Sequence, residues 1–171
     1  MNNNVELVRS VLIVTPDRWK DLSQALPSDL MQRRPAPGEW SAVECLQHIL
    51  DAERVIQFRL GCFQTGADFP GFNPDKEGTR IITSSPTVLA DDLAQLRAES
   101  LEMIASIHDP DLDLRVRHKE LGPVTLGEML SEWAAHDLNH TIQAERALMQ
   151  PYMADCGPWI RYFEDHRIKE K

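Results

Sequence analysis

The chain has only three cysteines in 171 residues, Cys45, Cys62 and Cys156, and no Cys-x-x-Cys pair. So odd and scattered a set indicates neither a disulfide framework nor a zinc site built on thiolates. Positive charge is also short: 18 Lys and Arg stand against 27 Asp and Glu, a formal net charge of −9. Such a chain repels a phosphate backbone, and it has no basic stripe interleaved with aromatics, so nucleic acid is not an expected partner. Long apolar runs are missing too. Val11-Leu-Ile-Val14 is too short for a signal segment or a membrane span. The expectation is a cytoplasmic protein with reduced thiols and no membrane partner.

What is there is an ordinary globular composition, 42% apolar and 26% charged, over a length that suits one domain, residues 1–171. The first helical stretch runs from about Asn3 to Leu26 through Val5, Leu7, Val8, Leu12 and Leu22. Inside it Thr15-Pro16 looks like a cap followed by a first-turn proline, which marks a kink or a split. Pro27 to Gly38 reads as a Pro-rich connector. The second helix opens at the capping-box pattern Ser41-Ala-Val-Glu44 and runs to about Leu60. Gly61 to Ser85, with Pro70, Gly71, Pro74 and Gly78, reads as a long irregular loop, and loops of that length are often functional.

The third helix begins at Ser85-Pro86 and carries Leu89, Leu93, Leu96, Met103 and Ile107. Asp111 to His118 alternates ahead of Gly122, the pattern of a short hairpin or an extended link. Thr125-Leu-Gly-Glu128 is a second capping box, opening a helix to about Met149 that Pro151 ends. Pro158-Trp159 begins a short last helix ending near Arg167. Long amphipathic helices with little strand pattern predict an all-α fold, a four-helix bundle.

Within the last long helix, His136 and His140 are spaced i, i+4 and share one face. On a helical wheel they fall on a stripe with Met129, Trp133, Ala144 and Ala147, while Glu128, Ser131, Asn139 and Arg146 lie opposite. On the second helix His48 falls at the edge of the apolar arc of Cys45, Ile49, Ala52 and Ile56. Three imidazoles are therefore expected to point at the bundle interior. Burying a polar ring without a partner costs about 1–3 kcal/mol. A divalent ion shared by three ring nitrogens would satisfy them, with each outward N–H held by a carboxylate or carbonyl. Glu44, Asp51, Glu132 and Asp137 are the candidates for that outer support. On spacing alone the bland alternative stays open, since His-x-x-x-His also recurs as a hydrogen-bonded or surface pair. His108, His118 and His166 fall in or beside turns and tails and are expected to be solvated.

His136-Asp-Leu-Asn-His140 is also similar to the zinc-peptidase motif His-Glu-x-x-His, with Asp137 where the peptidase has its general base. The carboxylate is shorter, and the bundle pattern fits that fold poorly. Arg97 is expected to face solvent or pair with a surface Glu, the other option being to orient an anionic substrate. Trp40, Trp133 and Trp159 are candidate pocket walls, Trp133 being more suited to the core.

The stretch Arg34-Pro-Ala-Pro-Gly-Glu-Trp-Ser-Ala-Val-Glu-Cys-Leu-Gln-His48-Ile-Leu-Asp-Ala-Glu53 resembles the DinB/YfiT-like superfamily, in which a Trp-Ser pair opens a helix bearing an inward histidine ligand. Thr125-Leu-Gly-Glu-Met-Leu, followed by His136-Asp-Leu-Asn-His140-Thr-Ile-Gln-Ala, resembles that family's last bundle helix. The resemblance covers nearly the whole chain. It implies an antiparallel bundle with a long crossover, usually a homodimer, and a divalent metal, commonly nickel or zinc, on His48, His136 and His140. It also implies one of several activities on a small-molecule substrate. These include S-transfer with a low-molecular-weight thiol such as bacillithiol or mycothiol, thiol-dependent isomerisation, and metal-dependent hydrolysis. We expect a metal-dependent thiol S-transferase. The alternatives are a hydrolase and a non-enzymatic bundle in which the metal, or hydrogen bonding among the histidines, is structural. Access separates them: an open position facing the Gly61–Ser85 loop belongs to an enzyme, a closed site with a fourth protein ligand to a structural ion.

Overall fold

Capping chemistry decides where the long helices begin. The computed structural model describes residues 3–77 and 81–168, so Gly78 lies outside the described residues. Its helices are α1 (Asn3–Ala25), α2 (Ser28–Gln32), α3 (Ala42–Thr65), α4 (Pro74–Glu77), α5 (Pro86–Ala105) and α6 (Leu126–Asp155); the strands are β1 (Arg115–His118) and β2 (Gly122–Thr125). Both capping boxes form. Ser41 Oγ accepts from the Glu44 N–H at 3.3 Å, and Glu44 Oε2 accepts from the Ser41 N–H at 2.8 Å. Thr125 and Glu128 repeat the exchange at 3.1 and 2.7 Å. Ser85 caps α5, with Pro86 as its first residue.

Several boundaries differ from expectation. Gly61 does not end the second long helix, because nothing there requires a left-handed backbone. Gly66 ends it, at φ 72°, with its N–H on the Cys62 carbonyl. Pro16 neither splits nor stops α1, and α6 runs through Pro151 to Asp155. The segment expected as a last helix is a pair of 3-10 turns, Gly157–Tyr162 and Glu164–His166.

The alternating segment is a hairpin, β1 antiparallel to β2 with Val116 opposite Val124. The Phe69 N–H donates to the Arg117 carbonyl at 3.1 Å, and the Lys119 N–H to the Phe69 carbonyl at 2.9 Å. These bonds tie the loop after α3 to the hairpin.

Helix α1 packs on α5 and α6, and α3 packs on the same two, so α1 and α3 lie across the diagonal of the bundle. The core divides in two. One apolar cluster gathers Leu12, Ile56, Phe63, Ile104, Leu130 and Trp133; the other gathers Trp19, Leu46, Ile49, Leu93, Ala144 and Leu148. On each long helix a polar group falls between the two clusters: the Leu12 carbonyl, Glu53, Arg97 and Asp137. Among the described residues no helix is long and apolar enough to cross a membrane.

Candidate metal centre

His48 on α3 meets His136 and His140 on α6 on the side of the bundle where these helices pack. His48 Nε2 lies 2.9 Å from His136 Nε2. The ring centroids are 4.8 Å apart for His48 and His136, and 4.4 Å for each of the other two pairs. One ring nitrogen from each residue lies within 4.8 Å of the others. His48 is buried; His136 and His140 are half-buried.

Burial, with the neighbouring imidazoles adding to it, pushes His48 down to about 4 and His136 to about 3. His140 is lowered by burial as well, against a hydrogen bond to Gln143 and the charge of Asp137. All three rings are thus neutral at pH 7, the form that offers a lone pair. His140 Nδ1 lies 2.9 Å from Gln143 Oε1. An amide oxygen only accepts, so Nδ1 carries the proton and Nε2 is left with the lone pair.

The donor set fits a divalent ion. Tetrahedral zinc with Zn–N bonds of about 2.0–2.1 Å keeps its nitrogens roughly 3.3 Å apart, within the spread seen here. Without an ion, the close approach of the Nε2 atoms of His48 and His136 requires one ring to carry its proton on Nε2 and donate it to the other. The Nδ1 atoms of both rings are buried with no hydrogen-bond partner among the described residues.

The carboxylates expected to hold the outward N–H groups are engaged elsewhere. Glu44 closes the α3 cap and accepts from Arg34 Nε at 3.0 Å. Asp51 accepts from Gln47 and Arg54, both at 2.9 Å. Asp137 turns away from the histidines and accepts from Arg97 Nη1 at 2.7 Å. That position is also unlike the base of a zinc peptidase. Gln143, which sequence reasoning passed over although it stands one turn after His140, holds that ring alone, and among the described residues nothing holds the outward nitrogens of His48 and His136. Glu132 touches no ring nitrogen but lines the cleft beside His136. It is exposed, yet desolvation raises its carboxyl, with Arg59 opposing the rise and Asp137 adding to it.

Arg97 is not on the surface: it is 1% exposed. It makes a bidentate pair with Glu53, Nε to Oε1 at 2.9 Å and Nη2 to Oε2 at 2.8 Å. Its Nη1 also donates to the Leu12 carbonyl at 3.0 Å, and Trp133 Nε1 donates to Glu53 Oε2 at 3.2 Å. One guanidinium faces two carboxylates, so a negative charge is formally left over in the layer adjoining the histidines. His118 is likewise buried rather than solvated. Its Nδ1 accepts from the N–H groups of Glu120 and Leu121 at 3.1 and 3.2 Å. Among the other two, His108 is exposed and so is His166.

A cleft of about 420 Å³ opens onto the three imidazoles, within the range of small-molecule sites. Trp40 stacks on His140 with centroids 5.8 Å apart and meets His48 edge-on at 5.0 Å. Phe72, from the loop after α3, stacks on His48 at 5.8 Å. Trp133 is core, and Trp159 stands 64% exposed, away from the cleft. Burial pushes the Cys45 thiol up to about 12 and raises Cys62. Among the described residues no cysteine or carboxylate joins the three-histidine cluster.

The model of the DinB superfamily matches residues 12–144. Among solved structures, YfiT from Bacillus subtilis is similar, with a TM-score of 0.76 at 16% identity over 89% of each chain. It is described as a probable metal-dependent hydrolase with an unusual four-helix bundle topology. At that identity the likeness is one of fold. No curated protein matches the sequence.

Proposed function

The chain belongs to the DinB superfamily, and on that premise we propose that His48, His136 and His140 hold one divalent ion, nickel or zinc, in a metal-dependent enzyme acting on small molecules. The observation that carries the reading is the open cleft in front of three neutral imidazoles. A structural ion would be expected to have a fourth protein ligand and no access.

A divalent ion held by the three histidines would supply a Lewis acid, lowering the pKa of a bound water toward ~7 or holding a bound thiol as thiolate. The chain does the rest. Trp40 and Phe72 wall the cleft beside the histidines. Glu132, one turn before His136 and with its carboxyl raised, accepts the proton released there.

The reaction we propose is transfer of a low-molecular-weight thiol to an electrophilic carbon: the S–H proton goes to Glu132, the sulfur forms a C–S bond, and the bond from that carbon to its leaving group breaks, the group departing with the electron pair. Cys45 and Cys62 are buried and held as thiols, and Cys156, half-exposed beyond α6, does not line the cleft, which supports a reacting sulfur that comes from the cosubstrate. Hydrolysis is the second reading, favoured by the description of YfiT and by a proton acceptor at the cleft. Two assays on metal-loaded protein separate them: conjugation of a panel of low-molecular-weight thiols to monobromobimane, and hydrolysis of nitrophenyl esters and anilides. Thiol-dependent turnover lost in Glu132→Gln supports transfer; turnover without thiol supports hydrolysis; neither, in fully loaded protein, overturns the enzymatic reading. We also propose a homodimer, consistent with exposed Leu138 and Ile142 one turn apart on α6; light scattering on the eluted protein tests it.

A further inference from the structure

The same protein contains two half-way-down-the-helix arginines in opposite situations. Arg97 is buried and its guanidinium is spoken for, by Glu53, Asp137 and the Leu12 carbonyl. Arg59 is not. It sits on α3 eleven residues after His48, on the stripe His48, Ala52, Val55, Arg59, and it lines the same cleft as the three histidines. Among the described residues its Nε is buried without a hydrogen-bond partner, and the side chain makes one hydrogen bond, a long one from Nη2 to the Pro70 carbonyl at 3.5 Å. Among the described residues no carboxylate lies within ion-pair distance of it. A guanidinium has five N–H donors in a rigid fork. Leaving Nε desolvated and unmatched is costly, and desolvation is the main force on this group, lowering it despite the charges of Glu132 and Glu120 nearby.

The group is also held in place. Its Cζ lies 5.1 Å from the centroid of the Phe69 ring. Phe69 is in turn fixed by its backbone bonds to Arg117 and Lys119. A guanidinium held on an aromatic ring in the wall of a cavity, with Nη1 unengaged among the described residues and Nη2 held only by the long Pro70 contact, is suited to pair with a planar oxyanion.

We propose that Arg59 is the residue that recognises the substrate, and that the substrate is a small molecule with a carboxylate at one end and its reacting atom at the other. This deepens the metal-centre reading by naming the substrate class of that cleft. Eleven residues of helix separate the Cα atoms of His48 and Arg59 by about 16 Å, and the two side chains shorten the gap. The ligand is therefore several bonds long between its two ends. Val55 and Ile56 lie between them in the cleft and Phe72 closes over it, so the middle of the ligand is apolar. The carboxylate pairs with the fork of Arg59 and the reacting atom arrives at the histidines.

The test uses 3-phenylpropionate and its neutral amide as probes, with binding followed by calorimetry or ligand-observed NMR. Wild-type protein is expected to bind the acid about tenfold more tightly than the amide, the size of one charge-assisted bidentate contact. Arg59→Gln is expected to bind the two equally, and Arg59→Lys to keep part of the preference. His48→Ala is expected to keep all of it. That variant separates this proposal from the metal reading, because it removes the ion and leaves Arg59. Metal content in Arg59→Gln should match wild type, which shows that the variant is folded and its histidines intact. Equal binding of acid and amide by wild type, no binding of the acid at millimolar concentration, or an undiminished preference in Arg59→Gln would each overturn the proposal. Loss of the preference in His48→Ala would overturn it too, since the carboxylate would then have been read by the ion.

Discussion

Arg97 donates to the carbonyl oxygen of Leu12 at 3.0 Å, and that carbonyl is the one that Pro16 cannot serve. In an α-helix the N–H of residue 16 bonds to the carbonyl of residue 12, and proline has no N–H. The helix stays whole because a side chain from α5 takes the vacant acceptor. The same guanidinium pairs with Glu53 of α3 and Asp137 of α6, so one residue ties all four long helices together at the level between the two apolar clusters.

Removing that guanidinium is expected to be severe. Arg97→Met leaves two buried carboxylates without their counter-ion and the Leu12 carbonyl without its donor, and breaking a buried pair costs about 3–5 kcal/mol. Urea unfolding of the metal-free protein should show a loss of that size. A loss under about 1 kcal/mol would mean that the layer is hydrated and not a buried network.

Gln143 should act on the metal without acting on the fold. It fixes the tautomer of His140 through a single contact at 2.9 Å. Gln143→Leu is expected to weaken metal affinity by about 10–100-fold, the usual effect of removing outer support for a ligand. The helical circular dichroism should not change. A competition titration against a chromophoric chelator reads the affinity, and an unchanged value would remove Gln143 from the account.

Acid should destabilise the metal-free protein in a defined window. His48 and His136 are neutral in the fold down to about 4 and about 3, while in the unfolded chain a histidine takes its proton near ~6.5. The unfolded state therefore binds more protons between those values, and stability falls as pH falls. It is full above about pH 6.5 and declines toward pH 4. Thermal melts of chelator-treated wild type and of a His48→Phe, His136→Phe double variant should diverge in this window, the variant being less acid-sensitive. Parallel melting curves would contradict the assigned burial.

The thiols should react unequally. Cys45 and Cys62 are buried and raised, whereas Cys156 is half-exposed beyond the end of α6. Only the thiolate is nucleophilic. Native protein should therefore release one equivalent of thionitrobenzoate from Ellman's reagent promptly, with the rest appearing on unfolding. Prompt reaction of Cys45 would open the possibility that the protein supplies its own nucleophile.

Local features were well expressed in the residues. Ser41-Ala-Val-Glu44 and Thr125-Leu-Gly-Glu128 form the boxes they spell, because capping involves groups three residues apart. The phase of His48, His136 and His140 was also legible, since each helix carries its own clock of 3.6 residues per turn. Partners distant in sequence were not. Arg97 lies four residues after Leu93 and seven before Ile104, on the buried stripe, but its charge argued for the surface until Glu53 and Asp137 arrived from other helices. His118 shares a strand face with Val116, yet its burial depends on Phe69 bridging from the loop. Asp137 looked like support for its neighbours in sequence; the helix instead sends it toward Arg97.

The central claim is one divalent ion on three histidines in an open site. It is tested most directly by metal analysis and X-ray absorption on untagged protein purified without chelator, wild type beside His136→Ala. The account predicts about one equivalent of nickel or zinc in wild type, with nitrogen scatterers at about 2.0–2.1 Å if zinc and additional light-atom ligands from solvent. His136→Ala should keep its helical spectrum and lose the metal. Wild-type protein that binds no divalent ion even when offered one, or a variant that binds it as tightly as wild type, would contradict the account.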